Sequence, residues 1–410
     1  MSSFLLRIHN ARQVVQVCAN GERFKAGAAQ NELAIIEHGA IVVDLQGKIV
    51  AVGSNDHVTQ WLACQPQPVA FEKELDGSDF CVLPGFVDGH THPVHESGGG
   101  INCSVRATRA SSEDELAQLL HARLDRMLRS GTTLIEAKSG YGLEAATELK
   151  MLRVLHNAKD RHPVEIVANF LGGHSVPDGM SAAEATEDIV ENQIPAVAQA
   201  IQDGTISPEF IDVFCEKGVF EHEDTRRILA AGAQAGLKIN FHGDEIHPMQ
   251  SGTLAADLHA HAISHCEMLT PSDIAAMASH VPDPIFAVLL PTTKYILKLP
   301  SPPAREMITA GVPVALGSDF NPNAHCLSMP MTMNMACVLF GMTMNEALVG
   351  ATINAAASID RAATHGSIEV GKHADFVLLR ASQWEHVVYE MVDPPIEFVV
   401  KRGKFYPAYK

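Results

Sequence analysis

The sequence predicts an α/β chain: a (β/α)8 TIM-like barrel with a small composite β-sandwich domain built from its N- and C-terminal segments. Three observations carry this expectation. From Phe80 onward, short apolar runs alternate with amphipathic helical stretches, the rhythm of repeated βα units around a parallel sheet. About eight such units can be counted, which suits a closed barrel. Both ends of the chain are instead rich in short β-like runs, which cannot stand alone and are expected to combine into one satellite sheet. The expected boundaries are residues 1–83 and 359–410 for the sandwich and 84–358 for the barrel.

Taken in order, Ala34 to Asp44 and Lys48 to Val52 read as strands parted by the turn residues Gln46 and Gly47. The first barrel strand is Val82 to Val87. Helix Glu113 to Arg129 follows, with Leu116, Leu119, Leu120, Leu124 and Leu128 on one face and Ser112 as its cap. Next come strand Thr132 to Glu136, helix Glu144 to Asn157, strand Glu165 to Leu171 and a helix through Ala182 to Ile201. Phe210 to Phe214, Lys238 to Phe241, Ala262 to Ser264, Ile285 to Leu289 and Val312 to Leu316 supply the remaining barrel strands. After the barrel, Asp375 to Leu379 and Phe398 to Arg402 are β again.

With 410 residues and 46% hydrophobic content, the chain can bury one large core and carry a smaller domain beside it. A net charge of -18 and the lack of any Lys/Arg run argue against a nucleic-acid surface or a polybasic membrane patch. An anionic substrate would therefore be held by a few local cations or backbone donors, since the overall field opposes its approach. No apolar run approaches the roughly 20 residues a membrane span needs. The stretch Met1 to Asn10 lacks a signal-peptide pattern, and eight scattered cysteines with no C-x-x-C pair fit reduced thiols; a soluble, cytoplasmic protein is expected.

The strongest local signal is Leu83-Pro84-Gly85-Phe86-Val87-Asp88-Gly89-His90-Thr91-His92, an apolar strand ending in two histidines at alternate positions. A period of two puts both imidazoles on one side of the strand. Barrel active sites lie at the C-terminal ends of the strands. Ile239-Asn240-Phe241-His242, Ala262-Ile263-Ser264-His265 and Val314-Ala315-Leu316-Gly317-Ser318-Asp319 repeat the design. Each histidine alone could be a core or loop residue, but a barrel makes distant strand ends converge. His90, His92, His242 and Asp319 are therefore expected to share one cation with a position open to water. Asp319 could also accept a proton from attacking water, His265 could orient that water or stabilise an oxyanion, and Glu245 is placed to protonate a leaving nitrogen. Lys138, just past the second strand, is either a metal-bridging or substrate lysine or half of an ion pair. The turn Gly140-Tyr141-Gly142 presents a ring and hydroxyl to the site mouth, and His174 could donate to a substrate oxygen.

Pro84-Gly85-Phe86-Val87-Asp88-Gly89-His90-Thr91-His92, Lys138-Ser139-Gly140-Tyr141-Gly142-Leu143, Asp212-Val213-Phe214-Cys215-Glu216, Phe241-His242-Gly243-Asp244-Glu245 and Gly317-Ser318-Asp319-Phe320-Asn321-Pro322-Asn323 together resemble the imidazolonepropionases, in particular the animal-type members. The resemblance implies a histidine-degrading hydrolase that opens the ring amide of 4-imidazolone-5-propanoate to N-formimidoyl-L-glutamate. It further implies one zinc or iron ion on His90, His92, His242 and Asp319, substrate contacts from Tyr141, His174, Glu245 and Asn321, proton handling by His265 and Glu245, and a homodimer. One departure stands out. After His92-Pro93-Val94 the chain runs straight through His95-Glu96-Ser97 into Gly98-Gly99-Gly100, where the family carries a longer loop with a carboxylate-binding arginine. Arg106 and Arg109 lie nearby, although cap or surface roles suit both better. A heterocycle deaminase and a catalytically impaired form lacking the anchoring loop are the competing readings.

Overall fold

The computed structural model describes residues 2–98 and 100–408. Met1, Tyr409 and Lys410, from the two terminal pieces, and Gly99 of the Gly98-Gly99-Gly100 run lie outside the described residues. The N-terminal strands are β1 (Ser2–Val17), β2 (Ala34–Val43), β3 (Ile49–Ser54), β4 (Val69–Asp76) and β5 (Cys81–Pro84). Then come β6 (Phe86–Asp88), β7 (Thr132–Lys138), β8 (Glu165–Gly173), β9 (Pro208–Cys215), β10 (Lys238–Gly243), β11 (Ala262–His265), β12 (Phe286–Leu289) and β13 (Val314–Leu316). The chain ends with β14 (Phe376–Leu379), β15 (Ile396–Lys401) and β16 (Lys404–Pro407).

Strands β6 to β13 pair in strict sequence order, all parallel, in one eight-stranded sheet. Backbone bonds just past the last and first strands close it: Gly89 donates to the Leu316 carbonyl (3.2 Å), Asp319 to His90 (3.0 Å) and His92 to Phe320 (2.8 Å). Those closing bonds tie the metal-ligand candidates of β6 to the one that follows β13. The helix Glu113–Arg129 forms where predicted, opened by a capping box between Ser112 and Glu115. Its buried Leu116, Leu120 and Leu124 contribute about 2 kcal/mol each against the barrel wall. Leu119 is only partly covered.

The second eight-stranded sheet is mixed, in the order β16-β15-β14-β5-β1-β2-β3 with β4 alongside β1. Strands from both ends of the chain meet at the antiparallel β5–β14 pair. At β5 and β14 the sheet is covered on both faces. Along β14, Val377 and Leu379 pack into the barrel core while Phe376 and Leu378 pack into a separate core within this sheet domain. Cys81 and Leu83 of β5 point one way and Val82 the other, the two-residue period of a strand.

Two expectations are corrected. The single strand Val82 to Val87 is two strands in different sheets, β5 and β6, divided at Gly85. A Cβ at Gly85 would lie 2.3 Å from Thr133 Oγ1, so only glycine lets the chain cross there. The helix through Ala182 to Ile201 is divided as Ala182–Asp188, a π turn Ile189–Gln193, and Ile194–Gln202. Pro195 has no N–H for the regular ladder, and the wide turn ahead of it absorbs the mismatch. The N-terminal β-rich region also contains the long strand β1, in which Asn10 adopts a left-handed φ of 57° and the pairing with β2 slips between Ile8 and Ala11. No helix among the described residues is long and apolar enough to cross a membrane.

Candidate metal centre

Each predicted ligand sits at or just beyond a barrel strand end and is buried. The Nε2 atoms of His90 and His92 lie 3.3 Å apart, and those of His92 and His242 lie 3.4 Å apart. Asp319 Oδ1 is 3.5 Å from His90 Nε2 and 3.4 Å from His92 Nε2. Two ligands about 2.1 Å from a tetrahedral ion stand about 3.4 Å from each other, so the donor atoms already have ligand spacing. Burial, then positive neighbours such as Lys138, holds the pKa values of His90 and His242 well below the ordinary value; burial and His174 do the same for His92. The imidazoles are therefore neutral and present lone pairs. Neutral nitrogens packed this closely with one carboxylate fit a borderline cation such as zinc or iron.

A second layer aims these ligands. His90 Nδ1 meets Ser264 Oγ at 2.8 Å. Asp212 Oδ1 accepts from both the ring Nδ1 (2.8 Å) and the backbone N–H (3.1 Å) of His242. Its other oxygen takes the Lys138 ammonium at 2.7 Å, and Lys138 also reaches Glu136 at 2.5 Å. Burial opposes the lysine charge, yet the Asp212 and Glu136 carboxylates outweigh it and hold its pKa above the usual lysine value. Lys138 is thus the ion-pair alternative of the sequence reading, not a substrate lysine, and it does not line the cavity. Thr293 Oγ1 donates to Asp319 Oδ2, leaving Oδ1 for the cation.

Above the ligands opens a cavity of about 210 Å3, whose lining includes Tyr141, His174, Glu245, His265, Asp319 and Asn321. The structure therefore brings every sequence-predicted substrate and proton-handling residue to one place. His174 Nδ1 bonds the Gly140 carbonyl at 2.9 Å, which turns Nε2 toward the site, and burial lowers its pKa to about 3. Its ring stacks on His92 at 4.9 Å. Glu245 is pushed up to about 8 by burial and by the charges of Asp319 and Glu216. Asn321 has a more internal role than predicted: its Nδ2 donates to the Asp319 carbonyl (2.8 Å), and its Oδ1 accepts from the backbone of Asn323 and Ala324. Asp244, His265, Cys266 and Asp319 all have left-handed φ, between 47° and 78°. Such backbone costs about 1–3 kcal/mol per residue and gathers where side chains must be aimed.

No Lys or Arg lines this cavity among the described residues. Arg106 faces Asp178 at 3.7 Å on the surface, and Arg109 donates to the Gly142 carbonyl at 2.8 Å. Beside the segment that follows His92, Arg123 donates to the carbonyls of Pro93 (2.7 Å) and His95 (2.9 Å). Sequence reasoning gave no role to Asp212, Glu136, Ser264, Thr293 or Glu267. For Asp212 and Glu136 a signal existed: an acidic residue inside an apolar strand must find a buried partner.

The chain belongs to the amidohydrolase family, whose profile matches residues 81–406. Two of its relatives share a name. A probable imidazolonepropionase of Dictyostelium discoideum is 54% identical, over 98% of this chain and 97% of the relative. A probable imidazolonepropionase of Nematostella vectensis is 50% identical, over 97% and 98%. These alignments run over 422 and 428 positions, more than the 410 of this chain, as expected when relatives carry residues it lacks. An adenosine deaminase from Xanthomonas campestris with bound zinc shares the fold, with a TM-score of 0.72 at 18% identity over 98% of this chain and 93% of that one.

Proposed function

We propose that the chain hydrolyses the ring amide of 4-imidazolone-5-propanoate to N-formimidoyl-L-glutamate, as a metal-dependent cyclic amidase. The observation that carries this is the convergence of His90, His92 and His242, with Asp319 Oδ1 within 3.5 Å of the first two, beneath a cavity lined by His174, Glu245 and His265. It is supported by the names of the relatives. When bound by those four residues, a zinc or iron ion supplies Lewis acidity that readies water for attack and polarises the ring carbonyl.

The chain's own groups do the rest. Asp319 Oδ2, steadied by Thr293, takes the proton released from the water. Glu245, whose carboxyl burial pushes up to about 8, gives its proton to the departing ring nitrogen. His174 Nε2 and the Tyr141 hydroxyl bind ring polar groups, and Tyr141 with Phe214 and Ile101 keeps bulk water out. The protein works in the cytoplasm, in keeping with eight unpaired cysteines. It forms a homodimer, for which the exposed Tyr295, Ile296, Leu297 and Val338 offer an apolar face; sedimentation should give twice the chain mass. The functional test is loss of the imidazolone ring chromophore with stoichiometric product by purified zinc- or iron-loaded protein. No turnover with either ion would overturn the reading.

A second reading is favoured by the cation-free lining: the ring is accepted but its propanoate is poorly held. Grafting the relatives' loop after Val94 should then lower KM by tenfold or more, about 1.4 kcal/mol. Equal KM values with and without the loop would remove it.

A further inference from the structure

Of the imidazoles around this cavity, His90, His174 and His242 each have a partner for Nδ1. Among the described residues, Nδ1 of His92 and of His265 has none; the His265 ring is buried and its Nε2 faces Glu245 Oε2 at 3.7 Å. Behind it stands Glu267, a side chain with no exposed surface and with neither carboxyl oxygen hydrogen-bonded to another group among the described residues. Glu267 Oε2 is 3.8 Å from His265 Nδ1. Two buried, unpartnered polar groups therefore face each other across a gap about 1 Å too long for a hydrogen bond. The left-handed turn at His265 (φ 78°) and Cys266 (φ 69°) is what folds residue 267 back under the imidazole. Such bonds are commonly long without ligand and tighten when the site fills.

We propose that Glu267, as a neutral carboxyl, donates its O–H to Nδ1 of His265 and so holds the imidazole in the tautomer whose Nε2–H points into the cavity. Glu267 is then a positioning residue and His265 the donor that meets a developing oxyanion. Charge and burial agree with this direction of donation. Burial, with the carboxylates of Glu245 and Asp319 beyond, holds the Glu267 pKa well above the ordinary glutamate value, and no Lys or Arg among the described residues makes an ion pair with it. His265 is held neutral by burial and by its neighbours His242, Lys138 and His174. The inference rests on the hydrolase reading above for its catalytic part alone.

The test has two arms. In 15N spectra of the metal-free and zinc-loaded protein, His265 should show a bare, bond-accepting Nδ1 and a protonated Nε2. Glu267→Leu should mix the tautomers, and Glu267→Gln, whose amide can still donate, should restore the wild-type pattern. In turnover, Glu267→Leu should lower kcat about 10- to 100-fold with KM nearly unchanged. Glu267→Gln should recover most of it, and Glu267→Leu should add nothing to His265→Ala. A proton on Nδ1 in the wild-type protein, a silent Glu267→Leu, or effects that multiply in the double variant overturn the proposal. If the unaltered protein opens no imidazolone ring, the function falls, while the spectra still decide the Glu267–His265 pair.

Discussion

Asp212 divides its two oxygens between different tasks, orienting the His242 imidazole with one and neutralising the Lys138 ammonium with the other. Removing that carboxylate should be felt twice. Asp212→Ala frees the ring to turn and leaves Lys138 with Glu136 alone. We expect metal affinity to fall about 10- to 100-fold and stability to fall by about 3–5 kcal/mol, read by metal titration and by urea unfolding. Glu245 makes a different prediction. Its pKa lies near 8 in the metal-free site, so its proton is present below that pH and is lost as pH rises through it. A cation on the nearby ligands favours the ionised form, so kcat should drop along an alkaline limb at or below about pH 8. Glu245→Gln should be slow and should lack that limb. The residues that face the cavity were legible in sequence because strand ends carry them. Their supports were less so: Ser264 and Thr293 look like ordinary small polar residues until the fold sets them beside His90 and Asp319.

Strand ends were readable because a barrel strand is a short apolar run that stops at a polar residue, and helices because their leucines recur with helical spacing. Boundaries failed where tertiary structure overrode local pattern. Val82 to Val87 reads as one apolar run, and nothing local says that Gly85 hands it from one sheet to the other. The close approach of Thr133 makes that handover testable: Gly85→Val should cost about 1–3 kcal/mol by overpacking, measured as a shift in the unfolding midpoint. On the helix Glu113–Arg129, Ser112→Ala should cost about 1 kcal/mol by removing the capping box. Leu120→Ala should cost about 2–5 kcal/mol by opening a cavity under the same helix. Both changes leave the metal ligands untouched, so metal content should stay constant.

At the scale of the molecule, the barrel and the satellite sheet are joined through the base of the barrel as well as through Gly85. Glu165, at the start of β8, pairs with Arg402 and with Lys401 (3.1 Å), and Lys401 also reaches Asp375 at 2.6 Å. This opposite end of the barrel bears on stability, while the ligand end bears on chemistry. The composite sheet was foreseeable because neither terminal set of strands suffices alone; its strand order was not, since pairing between distant segments leaves no local trace. That order sets a timetable for synthesis. A chain emerging N-terminus first can make β1 to β5 early and complete the barrel once Asp319 is out. The free edge of β5 must then wait, bare, for β14 to arrive. An unpaired strand edge recruits other chains, so ribosomes carrying this nascent protein should depend on holding factors until Phe376–Leu379 clears the exit tunnel.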